Sequence, residues 1–410
     1  MSTPLNWPAI ENLILTNPSD DAFYIADYQQ LDYLYKQWVN LLPRITPFYA
    51  VKCNPDMNLI KNLAKYPKMG FDCASISEFS MVLDNSVLPS SIIYSNTTRQ
   101  FSHLDYARIK NIKRLTFDSE CELIKIHKYI PDAELVIRIT VQEMGSTYSF
   151  RGKYGVDLTD AQKLLKIAKD MEMKVVGVCF HVGSLAKNPK AFYYAIKDCK
   201  KVFNYAKDVL GLELNLLNLG GGFCSCFEGS AEELGLPIEI MARSINDALD
   251  KYFPIESFTE DKLFIIAEPG RYFSQRPYSL AIKIFNKKKY LGNNQVMSID
   301  SDLQPDKYMY YVDQGIYSAF NCVLYDHKAP FPRAVYTKGK FLEYSNLMEN
   351  TYHSVIWGPT CDGSDCVFQD IRLPELDVGD WIVFDNIGAY SLSITSTFNG
   401  FSPISVCWID

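Results

Sequence analysis

A lysine ends the apolar run FYAVK (48–52), and the turn chemistry of Cys53, Asn54, Pro55 and Asp56 follows at once. Other short apolar runs end in the same manner, on Asp72, Arg138, His181 with Ser184, the triple glycine Gly220-Gly221-Gly222, and Glu268 followed by Pro269, Gly270 and Arg271. Singly, each has an undemanding explanation. A strand-end lysine is mostly solvated, a histidine is more often a satisfied core residue than a catalyst, and glycines mark tight turns. Glu268 with Arg271 would be an ion pair worth little at a surface. Taken together, these explanations must hold independently at the same end of successive strands, whereas one ligand accounts for them all. Consecutive glycines let backbone N–H groups approach a phosphate, and the Ser184 hydroxyl and Arg271 add donors suited to an anion. A phosphate anchor with a lysine facing it points to pyridoxal 5'-phosphate held by Lys52 as a Schiff base. His181 then stacks on the ring, and Glu268 keeps a proton on the pyridine nitrogen, which makes the ring an electron sink for carbanion chemistry. Asp72 and Arg138 support the lysine and the ring hydroxyl electrostatically.

The elements that must position these residues are readable from periodicity. Eight β-rich runs, at 48–52, 70–75, 91–96, 114–119, 134–140, 175–184, 214–222 and 263–271, alternate with amphipathic segments such as DMNLIKNLAKY, ISEFSMVLD, LTDAQKLLKIAKDME and NPKAFYYAIKDCKKVFNYAKDVLG. Several of these segments open on Asn, Asp, Ser or Thr, the residues that cap helices. Eight such units predict an α/β fold built on a closed, TIM-like (β/α)8 barrel, whose chemistry collects at the C-terminal ends of the strands. On that rim stand the residues above, with Asn96 and Asp118 ending the third and fourth runs. After about residue 276 strand-like stretches follow one another (YSLAIKIFN, KYMYYVD, HSVIWGPT, DWIVFDN, ISVCWID), which predicts a mostly β C-terminal domain. The N-terminal DAFYIAD offers that domain one more strand. The predicted boundaries are therefore a barrel over 28–276 and a β-sheet domain over 1–27 with 277–410.

Composition narrows the function classes. The 410 residues carry 41 basic and 48 acidic side chains, a net charge of -7, so there is no electrostatic footprint for nucleic acid. No apolar stretch spans a bilayer and no secretion signal opens the chain. Eleven cysteines without a repeated C-x-x-C pattern favour a reducing, cytoplasmic setting and no metal site.

The motifs FYAVKCN, GFDCAS, HVGS, GGGF, AEPGRY, YDH, GPTCDGSD, GAYS and FNGF stand in this order from one end of the chain to the other. As a set they resemble the eukaryotic ornithine decarboxylases, within the alanine racemase-like (fold-type III) group of pyridoxal-phosphate enzymes. The resemblance implies a homodimer with active sites formed between subunits, decarboxylating L-ornithine to putrescine, the first step of polyamine synthesis. It implies Lys52 as the cofactor lysine, with Ser184, Gly220 to Gly222, Pro269, Gly270, Arg271 and Tyr390 as phosphate and cofactor contacts. Glu268 separates the chain from racemases of this group, which place an arginine at the ring nitrogen. The resemblance further implies Cys361 as the residue that returns a proton to the α-carbon in the neighbouring subunit's site. Tyr325, Asp326 and Asp362 are implied to bind the substrate's distal ammonium, and Lys153 with Asp365 to pair between subunits.

Two positions depart from the family pattern. Asn218 stands before LGGG where aspartate is usual, and VDQG (312–315) replaces Val-Asn-Asp-Gly. The long C-terminal degradation tail of some animal members is not expected. The segment from Phe101 to Tyr129 is rich in lysine and histidine where animal members engage antizyme, which makes antizyme a candidate partner. Two rival readings stand beside the first: decarboxylation of lysine or another basic amino acid, and a non-catalytic, antizyme-binding regulator. Retention of Lys52, Asp72, Arg138, Lys153, Cys361 and Asp362 weighs against the regulator.

Overall fold

The computed structural model describes residues 6–17, 21–142, 144–146, 152–225, 235–258, 262–291, 295–298, 305, 307–325, 330–346 and 351–410. The chain divides into two compact units, residues 33–273 and residues 1–32 with 274–410, and each is taken by itself.

In the first unit a barrel closes from eight parallel strands: Thr46–Ala50, Gly70–Cys73, Ile92–Tyr94, Arg114–Phe117, Glu134–Arg138, Val175–Cys179, Leu216–Asn218 and Phe264–Ala267. Parallel strands wrapped by helices are apolar on both faces, and every residue of Gly70–Cys73, Ile92–Tyr94, Val175–Cys179 and Leu216–Asn218 is buried. The last strand returns to the first, with Thr46 opposite Ile266 and Pro47 opposite Ala267. Strands are shorter than the sequence runs at their C-terminal ends. Lys52 stands in the 3-10 turn Val51–Cys53 beyond its strand, and the run 214–222 is strand only over Leu216–Asn218. One backbone bond reaches a neighbouring strand past each of these ends, Phe180 N–H to the Asn218 carbonyl and Leu219 N–H to the Ile266 carbonyl, and then Gly183 N–H turns to the His181 ring and Gly220 N–H to Asn218.

Helices Met57–Leu63, Ile76–Asp84, Leu158–Asp170 and Lys190–Asp208 lie where the periodicity put them. Others, among them Tyr28–Leu41, Phe101–Ile109, Glu120–Tyr129 and Ile238–Tyr252, were not assigned from the sequence; Phe101–Ile109 buries only Leu104 and Ala107, too narrow a stripe to read. Caps set the strand-to-helix turns. Ser75 accepts from Glu78 N–H at 3.3 Å while the Glu78 carboxylate accepts from Ala74 N–H at 2.6 Å, a reciprocal cap that starts the helix just after Asp72. Asp56 and Asp157 make one-way caps, accepting from Asn58 N–H and Asp160 N–H at the starts of Met57–Leu63 and Leu158–Asp170.

The second unit is a sheet of ten strands. Its spine is Tyr278–Leu291, which pairs with Phe23–Asp27 and Trp381–Phe384 along its first half and with Lys307–Val312 along its second. The register with Lys307–Val312 shifts between Ile284 and Asn286, just past the stretch paired to Trp381–Phe384. DAFYIAD thus supplies the strand Phe23–Asp27, which also runs parallel to Ser405–Ile409. Ile10 and Ile14, on the helix Trp7–Thr16, cover Phe23, Ile25, Ala281, Trp381 and Val383. Among the described residues no helix is long and apolar enough to cross a membrane.

Trp38 tests how the barrel unit is packed. It is fully buried, meets Phe223, Tyr272 and Phe273, and donates its indole N–H to the Ile45 carbonyl at 2.9 Å. Trp38→Ala is expected to destabilise the protein by about 3–5 kcal/mol in urea unfolding; a loss below about 1 kcal/mol would show that this aromatic cluster does not hold the barrel.

Candidate active site

Lys52 Nζ lies 2.5 Å from Asp72 Oδ2. The register that sets Ala50 opposite Asp72 brings the turn after the first strand over the second. The Asp72 side chain is 0% exposed and that of Lys52 is 45% exposed, so a fixed, buried anion holds an amine that remains reachable. Asp72 Oδ1 accepts from the Ser95 hydroxyl, a partner that the sequence reading passed over for its neighbour Asn96. Asn96 accepts from Thr98 N–H at 3.2 Å and Asp118 from Gly155 N–H at 2.8 Å, so both of these rim residues shape turns.

Across the rim, Gly220 and Gly222 have φ of 61° and 112°, which side-chain-bearing residues rarely adopt. A Cβ on Gly221 would stand 2.7 Å from His181 Nε2 and 3.1 Å from the Glu268 carbonyl oxygen. The turn is therefore a cradle of backbone between the histidine ring and the carboxylate strand, kept open by missing side chains. His181 Nδ1 accepts from Gly183 N–H at 2.9 Å, which leaves the ring proton on Nε2. Burial, then the nearby Arg138 and Lys52 cations, holds the imidazole pKa well below its ordinary 6.5, so His181 is a neutral, flat ring. Arg138 itself lies over the Tyr154 ring at 4.9 Å. Glu268 is pushed up from the ordinary 4.5 to about 7, by burial first and by the Asp72 carboxylate second, against Lys52, Asn218 and Arg138, which favour its anion. Asn218 Nδ2 donates to Glu268 Oε1 at 2.7 Å. Gly270 lies against Ala50 and Cys53, and the Pro269 carbonyl accepts from Ala50 N–H at 3.4 Å. Arg271 is buried at the start of the turn Arg271–Ser274, and Ser184 is partly buried beyond His181. A covalent-capable amine, a backbone cradle for an anion, a neutral ring and a carboxylate of near-neutral proton affinity fit a phosphorylated pyridine aldehyde.

In the sheet unit, Cys361 is exposed, and its N–H donates to the Asn399 side chain at 3.0 Å. Asp362 accepts from the Tyr317 hydroxyl and from Ser364 N–H, and these bonds hold its carboxyl below the ordinary range. Tyr317 carried no signal in the sequence, and Asn399 stood in the FNGF motif without an assigned role, since each acts through a residue far away in the chain. Asp365 is 1% exposed and caged by its own chain: its carboxylate accepts from Ile316 N–H at 2.9 Å and Thr360 N–H at 3.0 Å. Lys153 lies over the Tyr154 ring at 4.9 Å. Tyr325 ends the short helix Cys322–Tyr325 and is 55% exposed, and Tyr390 sits at a φ of 54°. Asp326 lies outside the described residues. In the departing VDQG segment, Asp313 accepts from Ala22 and Lys283 N–H groups and is spent on the sheet.

The family profile described as pyridoxal-dependent decarboxylase, pyridoxal binding domain, matches residues 28–275. The chain is 39% identical to the ornithine decarboxylase of Rattus norvegicus over 399 residues, 97% of this chain and 82% of that one. It is 38% identical to antizyme inhibitor 2 of Xenopus laevis over 397 residues, 96% and 83% of the two chains. Among solved structures, the arginine decarboxylase of Paramecium bursaria Chlorella virus is similar with a TM-score of 0.86 at 33% identity, over 99% of this chain and 100% of that one.

The two shifted groups act oppositely on stability. Glu268 binds its proton more tightly folded than unfolded, so its contribution is lost as pH rises from 4.5 through about 7. His181 is neutral when folded, so its contribution is lost as pH falls below 6.5. In urea unfolding of the cofactor-free protein, Glu268→Gln is expected to match the parent near pH 4 and exceed it above pH 7, by at most about 3 kcal/mol at roughly 1.4 kcal/mol per pH unit. An advantage of the same size at every pH would remove the assignment.

Proposed function

This chain belongs to the pyridoxal-dependent decarboxylase family, and from that premise we propose that it decarboxylates L-ornithine to putrescine in active sites shared by two copies of the chain. The observation that carries the reading is the pairing of a reachable Lys52 on a buried Asp72 with a glycine cradle and Glu268 on the same rim. Lys52 would hold the cofactor aldehyde covalently, and Gly220 to Gly222, Ser184, Pro269, Gly270 and Arg271 its phosphate side, with Tyr390 as a further contact. When bound, pyridoxal phosphate supplies the conjugated ring that accepts the electron pair left at the α-carbon as carbon dioxide departs.

The protein's own groups do the rest. Glu268 would meet the pyridine nitrogen, and its proton affinity near neutrality suits a proton held between the two. His181 would cover one ring face and, being neutral, would add no charge there. Asp72 keeps the Lys52 amine oriented, and Arg138 adds positive charge near the carboxylates. Cys361, from the partner subunit, gives its thiol proton to the α-carbon. Asp362, kept ionised by Tyr317, takes the distal ammonium together with Asp326 and Tyr325, because a buried ammonium requires paired carboxylates. Sharing of the site rests on Cys361 and Asp362, with Lys153 and Asp365 as the ion pair between subunits; the Ile316 and Thr360 amides would hold the Asp365 carboxylate in place for it.

Relatives named ornithine decarboxylase support ornithine, while likeness to an arginine decarboxylase and to an antizyme inhibitor keeps two other readings in view. One methylene in a pocket is worth only about 1–3 kcal/mol, so substrate choice is a matter of measurement. Carbon dioxide release with ornithine, lysine and arginine should rank ornithine first by kcat/KM; preference for another amino acid overturns the substrate, and a protein that binds no cofactor favours the regulator. Lys52→Ala should release no carbon dioxide. Mixing inactive Lys52→Ala with inactive Cys361→Ala should restore up to about one quarter of the parent activity, the share expected when random hybrids each contain one intact site. No recovery after confirmed subunit exchange would place both residues in one subunit's site.

A further inference from the structure

Asn218 is 0% exposed, and both ends of its side chain are engaged. Its Oδ1 accepts from Gly220 N–H at 2.9 Å and its Nδ2 donates to Glu268 Oε1 at 2.7 Å. A backbone N–H can only donate, so the first bond turns the amide oxygen toward Gly220 and leaves the NH2 to face the carboxylate. That NH2 cannot accept, so a proton on Glu268 Oε1 would point at another donor. Oε1 is thereby restricted to accepting, and a proton on Glu268 belongs to Oε2. A backbone bond joins the same two segments again, Glu268 N–H to the Gly220 carbonyl at 2.8 Å, so the amide closes a ring of hydrogen bonds.

We propose that Asn218 is a positioning residue that ties the glycine cradle to Glu268 and reserves one carboxylate oxygen, so that the proton of the site is held on the oxygen left for the cofactor nitrogen. The proposal rests on Glu268 as the partner of that nitrogen. The other groups facing Glu268 are Asp72, Lys52 and Arg138, with the Cys179 thiol on the strand beyond Asn218 and the His181 ring beside Gly221. Lys52 is paired to Asp72 and Arg138 lies on Tyr154, so these cations act on Glu268 through their field. Asn218 is the neutral donor in direct contact with it.

Two substitutions separate this role from shaping the turn. Asn218→Asp keeps an oxygen for Gly220 N–H and replaces the donor by a titratable group; Asn218→Leu removes both functions. Glu268 can be followed by carboxyl carbon-13 NMR in the full, cofactor-free chain, its resonance identified by loss in Glu268→Gln. In both variants its final deprotonation should move up by at least one pH unit. In Asn218→Leu, the affinity of the cofactor-free protein for added pyridoxal phosphate should fall about tenfold at pH 7 and recover toward pH 9. If the leucine variant does not fold, the aspartate variant decides the titration. An unmoved Glu268 titration, or an affinity lowered equally at every pH, overturns the proposal. A titration that moves while cofactor affinity keeps its parental pH dependence preserves the link to Asn218 and overturns the ring-nitrogen reading beneath it.

Discussion

The parallel pairing of Thr46–Ala50 with Phe264–Ala267 is the constraint on which the site depends. It converts eight strands into a ring and sets the first turn beside the last, so that Gly270 packs on Ala50 and Cys53 and the Pro269 carbonyl meets Ala50 N–H. Residues separated by more than two hundred positions thereby share one rim. In an open sheet these two strands would be opposite edges, and Lys52 would have no carboxylate from the last strand near it. A rim built on barrel strands is also rigid, which suits a site whose groups must hold their geometry before a ligand arrives.

Within that ring each group is held by a neighbour and little is left to choose its own position. Asp72 is fixed by Lys52 and Ser95, Glu268 by Asn218, and His181 by the Gly183 amide. Glu268, buried and near the Asp72 carboxylate, resists ionisation, and the Lys52 and Arg138 cations and the Asn218 amide offset part of that cost. Glu268 is left with a proton affinity near neutrality, where a proton can pass to or from a partner at small cost.

The sheet unit applies the same economy to a single turn. Asp365 is enclosed by Ile316 and Thr360 amides, and Gly315 and Gly358 abut its carboxylate where a Cβ would collide. Its own backbone closes the turn, N–H to the Asp362 carbonyl at 3.1 Å and carbonyl to Gly358 N–H at 2.7 Å. A buried carboxylate satisfied by backbone donors thus holds the loop that exposes Cys361 and Asp362, leaving those two side chains at its surface.

The sequence by itself determined the barrel, the extra N-terminal strand of the sheet and the residue types on the rim, because strand and helix periodicities and the chemistry of strand ends are local. It also carried the family, through motifs spread along the chain. It missed Phe101–Ile109, whose buried stripe is too narrow, and it ran the strands too far, into glycine turns where the Gly183 and Gly220 amides turn to side chains. Only the tertiary structure decided which polar groups touch. Ser95 on Asp72, Asn218 on Glu268, Tyr317 on Asp362 and the enclosure of Asp365 each join residues distant in the chain. Such contacts have no periodicity to betray them; they exist because closure and sheet register bring the segments within hydrogen-bond reach, and that is a property of the folded chain.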